Sequence, residues 1–166
     1  MKARQAAEGI KMKLYISHSL APTDTQVAVL LSRQAQAKGI SVESSQHQTP
    51  LAVNMAVIIQ HAITRCDFVI AIVSLDSQYA SNVQHELGIA SALKKPTLAL
   101  VERGVRALQP IAGVQYVEFV RSDLGPALAH ISNILEGRKN QESLKQWVVG
   151  GGLALLALYL ISKSDE

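Results

Sequence analysis

Short apolar runs alternate with stretches of helical periodicity along most of the chain. Residues 13–17 predict a short strand, and in residues 25–38 apolar side chains recur at helical spacing, with Asp24 as the expected N-cap. Ile40 and Val42 alternate with polar residues, which predicts a second, partly exposed strand. Residues 52–65 again carry a helical period. Two strand–helix units are therefore expected in this part of the chain.

The most apolar strand candidate is residues 68–74, FVIAIVS, an almost unbroken run rich in branched side chains. Such runs are typical of parallel strands covered on both faces, so this strand is expected in the middle of a sheet. It is followed by a predicted helix at residues 83–93, strands at 97–101 and 114–119, and a helix at 124–135 that Asp123 is expected to cap. The alternation predicts an α/β domain: an open parallel sheet of about five strands with helices on both faces.

The C-terminal part of the chain has a different pattern. Residues 146–162 contain no charged side chain and lie between Lys145 and Lys163. A helix of this length spans about 25 Å, slightly less than the roughly 30 Å hydrocarbon core of a bilayer. Basic residues are more frequent on the domain side, so we expect a cytoplasmic domain at residues 12–137, a linker at 138–145 and a C-terminal anchor in the inner membrane. The alternative is an apolar helix buried against the domain or within an oligomer.

Composition indicates a globular chain and argues against a nucleic-acid partner. Apolar residues make up 48% of the chain and charged residues 17%, which argues against disorder. The net charge of +3 is dispersed and aromatic residues are only 4%, so no nucleic-acid partner is expected. Cys66 is the only cysteine, which excludes an intrachain disulfide, and its place before an apolar strand predicts a buried packing residue. Residues 1–13 contain no apolar stretch typical of signal peptides, which favours the cytoplasm.

Several kinds of active site lack their sequence motifs in this chain. Neither of the phosphate-binding patterns GxxxxGK[ST] and GxGxxG occurs, which makes phosphoryl transfer improbable. The hydrolase pattern GxSxG and the zinc pattern HExxH are absent, and the five histidines have no metal-ligand spacing. We therefore expect no metal.

Ligands of open parallel sheets bind beyond the carboxyl ends of the strands, where this chain carries polar residues after its first and third strands. Glu86 is the carboxylate that stands out, because it lies in the first turns of the predicted helix 83–93, whose dipole favours its ionised form. Asn82 or Ser81 is expected to cap that helix. The alternative is an exposed acid that serves only the helix. The other candidate pocket residues are Ser17, His18, Ser19, Ser74, Asp76, Tyr79 and Asn82.

Three segments carry a resemblance to a known family. They are KLYISHS at residues 13–19, CDFVIAIVS at 66–74 and SNVQHELGIASALKKPTLALVE at 81–102. In order and separation they resemble the successive motifs of bacterial TIR (Toll/interleukin-1 receptor) domains, over roughly residues 12–136. The resemblance implies the flavodoxin-like TIR fold.

The resemblance also implies an activity. In catalytic TIR domains a glutamate of this helix holds the hydroxyls of the nicotinamide-bearing ribose, and Glu86 matches that position. NAD is then the substrate, no separate cofactor is needed, and the product is ADP-ribose or a cyclic ADP-ribose-type signal. The resemblance further implies a role in antiphage defence and homotypic assembly between TIR domains. Residues 44–50 correspond by position to the loop through which TIR domains often contact one another.

Two alternatives stay open at this stage. One is a non-catalytic TIR adaptor that assembles with other TIR domains through residues 44–50 and the adjoining helix. The form SNVQHELGIA at residues 81–90 also resembles nucleoside deoxyribosyltransferases, which use a glutamate at this place against a glycosidic bond. Both enzymatic readings assign N-glycosidic chemistry to Glu86.

Overall fold

A computed structural model of the chain describes residues 11–44, 55–106, 108 and 111–147, with side chains described as far as residue 141. The chain divides into two compact units, Met1–His130 and Ile131–Glu166. The first unit contains the sheet and its first three helices, and the second contains most of the last helix.

The sheet has five parallel strands in the order β2-β1-β3-β4-β5. Their bounds are β1 Lys13–Ser17, β2 Ser41–Ser44, β3 Phe68–Val73, β4 Thr97–Glu102 and β5 Val114–Phe119. The prediction that residues 68–74 form a central strand is confirmed, because β3 has two strands on its left and two on its right and every residue of it is buried. This strand order is the flavodoxin-like one.

Four helices accompany the strands. They are α1 Pro22–Ala37, α2 Met55–Arg65, α3 Ser81–Ala92 and α4 Gly125–Trp147. Two predicted caps are wrong. Helix α1 begins at Pro22, whose fixed φ suits a first helical turn, so Asp24 lies inside that turn instead of capping it. Helix α4 begins two residues beyond Asp123, which forms an isolated bridge with Val120.

The side chains of β1 and β3 divide between two faces, because successive residues of a strand point to opposite sides. Tyr15 and Val69 pack on one face with residues of α2 and α3, among them Ile63 and Ala90. Helix α1 contacts β1, β2 and β3. The β1–α1–β2 and β2–α2–β3 connections run in opposite directions across the sheet, and right-handed crossovers place α1 and α2 on opposite faces. The expected helical cover on both faces follows from this order.

The segment predicted as a linker, residues 138–145, is helical, because α4 continues without interruption to Trp147. It contains no proline and no glycine, and the one glycine just before it, Gly137, costs about 1 kcal/mol relative to alanine without ending a helix. Among the helices of the described residues, none is long and apolar enough to cross a membrane. The candidate anchor, residues 146–162, lies outside the described residues from residue 148 onward.

Cys66 is buried, as predicted, with 4% of its surface exposed. Burial raises the pKa of its thiol to about 11, and Lys95 opposes this shift only in part. The thiolate form is therefore rare at neutral pH, which argues against a role as nucleophile. Cys66 instead packs in the apolar cluster between α2, α3 and the sheet.

Candidate functional site

Strands β1 and β3 are neighbours in the sheet. The strand that follows β1 in the chain, β2, lies on one side of this pair, and the strand that follows β3, β4, lies on the other. Open sheets bind ligands at such a switch point, beyond the carboxyl ends of the two strands. Ser17 ends β1 there, and His18 and Ser19 follow it. All three are buried, although they are polar. This end of β1 is where a ligand-binding crevice is expected.

Glu86 lies on the face of α3 that is turned toward the sheet. The same face carries the buried residues Val83, Leu87 and Ala90, three before, one after and four after it. The alternative of an exposed acid is therefore wrong: Glu86 has 0% of its surface exposed. It is the sixth residue of α3 and lies in the second turn, so α3 places it against β1 and not at the helix end.

Tyr15 in the middle of β1 is the partner that the fold gives to Glu86. The Tyr15 hydroxyl donates a hydrogen bond of 3.2 Å to Glu86 Oε2, and both side chains are buried. The two residues are 71 positions apart in sequence, and neither periodicity nor spacing predicted the contact. A buried carboxylate held by a phenol keeps a defined orientation and can stabilise a positive charge that develops close to it.

The first turn of α3 reaches over the end of β1. The predicted caps Asn82 and Ser81 are wrong, because the N-cap residue is Ala80 and no side chain caps the helix. Asn82 Nδ2 instead donates a hydrogen bond of 3.4 Å to the carbonyl oxygen of His18. Asn82 thus ties the helix that carries Glu86 to the segment that follows β1.

Ser19 and Asp24 connect the end of β1 to α1. Ser19 Oγ donates a hydrogen bond of 2.7 Å to Asp24 Oδ2, and the Ser19 amide lies 3.4 Å from the same oxygen. His18 Nδ1 is 2.8 Å from the Ser19 carbonyl oxygen. Both Ser19 and Asp24 are buried, so this cluster stabilises the turn between β1 and α1.

The candidates after β3 are engaged in other ways. The Ser74 amide donates to Ser77 Oγ at 3.0 Å, and the Ser74 and Ser77 hydroxyls are 3.2 Å apart, so Ser74 closes the turn after the strand. Tyr79 is 82% exposed. Asp76 Oδ2 accepts a hydrogen bond of 3.1 Å from Thr23 Oγ1 and one of 2.9 Å from Arg121. Ser74 and Asp76 therefore stabilise the loop after β3, and Tyr79 lies on its exposed surface.

A second buried glutamate was not singled out from the sequence. Glu102 ends β4 with 5% exposure, and Arg121 Nε and Nη2 donate to its two carboxylate oxygens at 2.8 and 2.9 Å. The Leu75 amide also donates to Glu102, at 2.8 Å. The hydrogen bond from Arg121 lowers the pKa of Glu102 and raises that of Arg121. A glutamate directly after an apolar strand was the available signal, but its partner lies 19 residues further on.

A groove of about 390 Å³ runs between α1 and β2, from His18 along Ser32 and Arg33 to Ser44, and Glu86 does not line it. The loop after β2 that was expected to mediate assembly lies outside the described residues from residue 45 to residue 54. Within the described parts of the chain, no three histidine, cysteine or acidic side chains form a group that could hold a metal ion.

Comparison with known proteins establishes the family. Residues 14–132 match the TIR domain family, which is most of the chain, and the chain belongs to that family. A search of curated proteins finds no match. A CMP N-glycosidase from Clostridium botulinum has a TM-score of 0.50 at 19% identity, over 72% of this chain and 97% of that one. At this identity the likeness shows the fold alone.

A second solved structure is the activated Roq1 resistosome, which directly recognizes the pathogen effector XopQ. Its TIR domains have a TM-score of 0.47 at 12% identity, over 56% of this chain and 58% of that one.

Proposed function

We propose that this TIR-domain protein cleaves the N-glycosidic bond between nicotinamide and ribose in NAD, with Glu86 as its catalytic carboxylate. The observation that carries the proposal is the position of Glu86. It is fully buried, it accepts a hydrogen bond from Tyr15, and it lies on the helix that Asn82 fastens to the end of β1. Membership of the TIR family supports the same chemistry.

The proposed reaction needs a negative charge more than it needs an acid. As the bond from the ribose C1′ to the nicotinamide nitrogen breaks, the electron pair leaves with nicotinamide, which departs as a neutral base. The ribose acquires oxocarbenium character, and a fixed carboxylate in a dry site stabilises that charge. Water that attacks C1′ and loses a proton gives ADP-ribose, whereas a nucleophile within the same molecule gives a cyclic product. NAD is the substrate, and the proposal requires no further cofactor.

Burial sets a condition on this reaction. Since Glu86 has no exposed surface, NAD reaches it only after the chain around it opens. In the proposed mechanism, homotypic assembly between TIR domains causes that opening. We therefore expect turnover to rise more steeply than in proportion to protein concentration.

The test compares the wild type with Glu86→Gln, which keeps the shape of the buried side chain and removes its charge. Each protein is incubated with NAD over a range of concentrations, and the products are identified by mass spectrometry. We expect nicotinamide from the wild type alone, and its partner product distinguishes hydrolysis from cyclisation. Equal turnover by the two proteins contradicts the role of Glu86.

The same experiment separates the alternatives. A wild type that forms oligomers without releasing nicotinamide favours a TIR adaptor. Release of a base from nucleosides or from CMP, but not from NAD, favours a nucleoside deoxyribosyltransferase-like hydrolase. The second alternative is worth testing because the Clostridium CMP N-glycosidase shares the fold.

The cellular setting is also part of the proposal. We propose that the enzyme acts in antiphage defence and that residues 146–162 attach it to the inner membrane. Because the described part of α4 extends to Trp147, the informative truncation ends there and keeps that part of the helix. We expect this truncation to move the protein from the membrane pellet to the supernatant after cell lysis. A truncated chain that stays in the pellet contradicts the anchor, and a full-length chain found in the supernatant as a defined oligomer favours the assembly helix.

A further inference from the structure

The hydroxyl of Ser17 is buried and has no hydrogen-bond partner among the described residues. Ser17 has 0% of its surface exposed. A buried hydroxyl without a partner lowers the stability of the fold, so such groups in folded proteins call for an explanation. The other buried serines of this region, Ser19 and Ser74, have hydrogen-bond partners for their hydroxyls.

The position of Ser17 connects it to the proposed site. Ser17 lies two residues after Tyr15 in β1, and alternate residues of a strand point to the same face. Its hydroxyl is therefore on the face of the sheet that carries the Tyr15–Glu86 contact, one step nearer the open end of the crevice. Asn82, on the turn of α3 before Glu86, contacts the carbonyl of the next residue, His18. Ser17 thus lies between the level of Glu86 and the mouth of the site.

The surroundings of Ser17 offer it little else to bind. Its neighbour across the sheet on β3 is Ala71, which belongs to an apolar cluster with Val73, Val83 and Leu87. A ligand hydroxyl that reaches this layer meets one neutral donor and acceptor on β1 and one carboxylate on α3. Neighbouring hydroxyls of one sugar ring are ligands that two such polar groups can bind.

We propose that Ser17 is a specificity-determining residue, whose hydroxyl binds a ribose hydroxyl of the substrate beside the carboxylate of Glu86. This inference rests on the proposed function, because Glu86 defines where the sugar lies. It selects ribose over sugars that lack that hydroxyl. A pocket built to bond a hydroxyl discriminates strongly against the analogue without it, since the protein group is then left unsatisfied.

The test measures the ratio of kcat/KM between the wild type and Ser17→Ala on three substrates. They are NAD and its analogues that lack the 2′ or the 3′ hydroxyl of the nicotinamide-bearing ribose. We expect Ser17→Ala to lower kcat/KM about tenfold on NAD and to leave it unchanged on the analogue that lacks the bonded hydroxyl. Comparing the two proteins on each substrate cancels the different intrinsic lability of the deoxy sugars.

Ser74→Ala is the matched control, because it removes an equally buried hydroxyl from the end of the neighbouring strand, one whose partner is Ser77. We expect any loss in this variant to be the same on all three substrates. A Ser17→Ala loss that is equal on all three overturns the inference and leaves the proposed function standing. A wild type that cleaves none of the three overturns both.

Discussion

Glu86 and Glu102 are both buried in the described fold, and their surroundings differ. Glu102 at the end of β4 is bound on both carboxylate oxygens by the guanidinium of Arg121, and the Leu75 amide adds a third hydrogen bond. Glu86 on α3 accepts a hydrogen bond from the neutral hydroxyl of Tyr15. The ion pair of Glu102 joins the end of β4 to the segment after β5, whereas the Tyr15 hydroxyl helps to orient Glu86 on α3. The comparison separates a structural acid from a candidate catalytic one.

The largest expected effect comes from the matched substitutions Glu86→Gln and Glu102→Gln. We expect Glu86→Gln to lower nicotinamide release at least about 100-fold with a melting temperature close to that of the wild type. Glu102→Gln leaves Arg121 without its main acceptor, so we expect the melting temperature to fall by several degrees. The comparison fails if Glu102→Gln removes activity at unchanged stability while Glu86→Gln only destabilises the fold.

A smaller effect is expected from Tyr15→Phe, which removes only the hydroxyl that orients Glu86. A hydrogen bond to a charged group contributes about 1.5–3 kcal/mol, so kcat should fall about 10- to 100-fold. Thermal unfolding monitors whether the buried ring still packs. Unchanged kcat in a folded Tyr15→Phe variant shows that Glu86 is held in place by other groups.

The smallest effect is a difference in pH dependence. Because Arg121 holds the pKa of Glu102 below its ordinary value of 4.5, the pairing stabilises the fold above that value and is lost as the pH falls through the lowered one. We expect the melting temperatures of the wild type and Glu102→Gln to converge as the pH is lowered step by step below 4.5. A constant difference across that range means that the charge of Glu102 does not contribute.

Much of the fold was predictable because it depends on local patterns. The apolar run at residues 68–74 predicted the central strand, since only a strand covered on both faces tolerates six buried residues in succession. The predicted starts of α1 and α3 were less accurate. Proline at the first helical position replaced the expected cap of α1, and the amide of Asn82 bonds to a carbonyl 64 residues away instead of capping α3.

The candidate site also has features that the sequence predicted and features that only the tertiary structure showed. The sequence by itself determined the order of the elements, the buried Cys66 and the choice of Glu86, because strand and helix periodicity and a family motif are all local features. Only the tertiary structure decided that Glu86 is buried against Tyr15, that the buried Ser17 hydroxyl has no hydrogen-bond partner among the described residues, and that Arg121 balances Glu102. These contacts join residues far apart in the chain, and their strength depends on burial, which arises only when the strands and helices have packed.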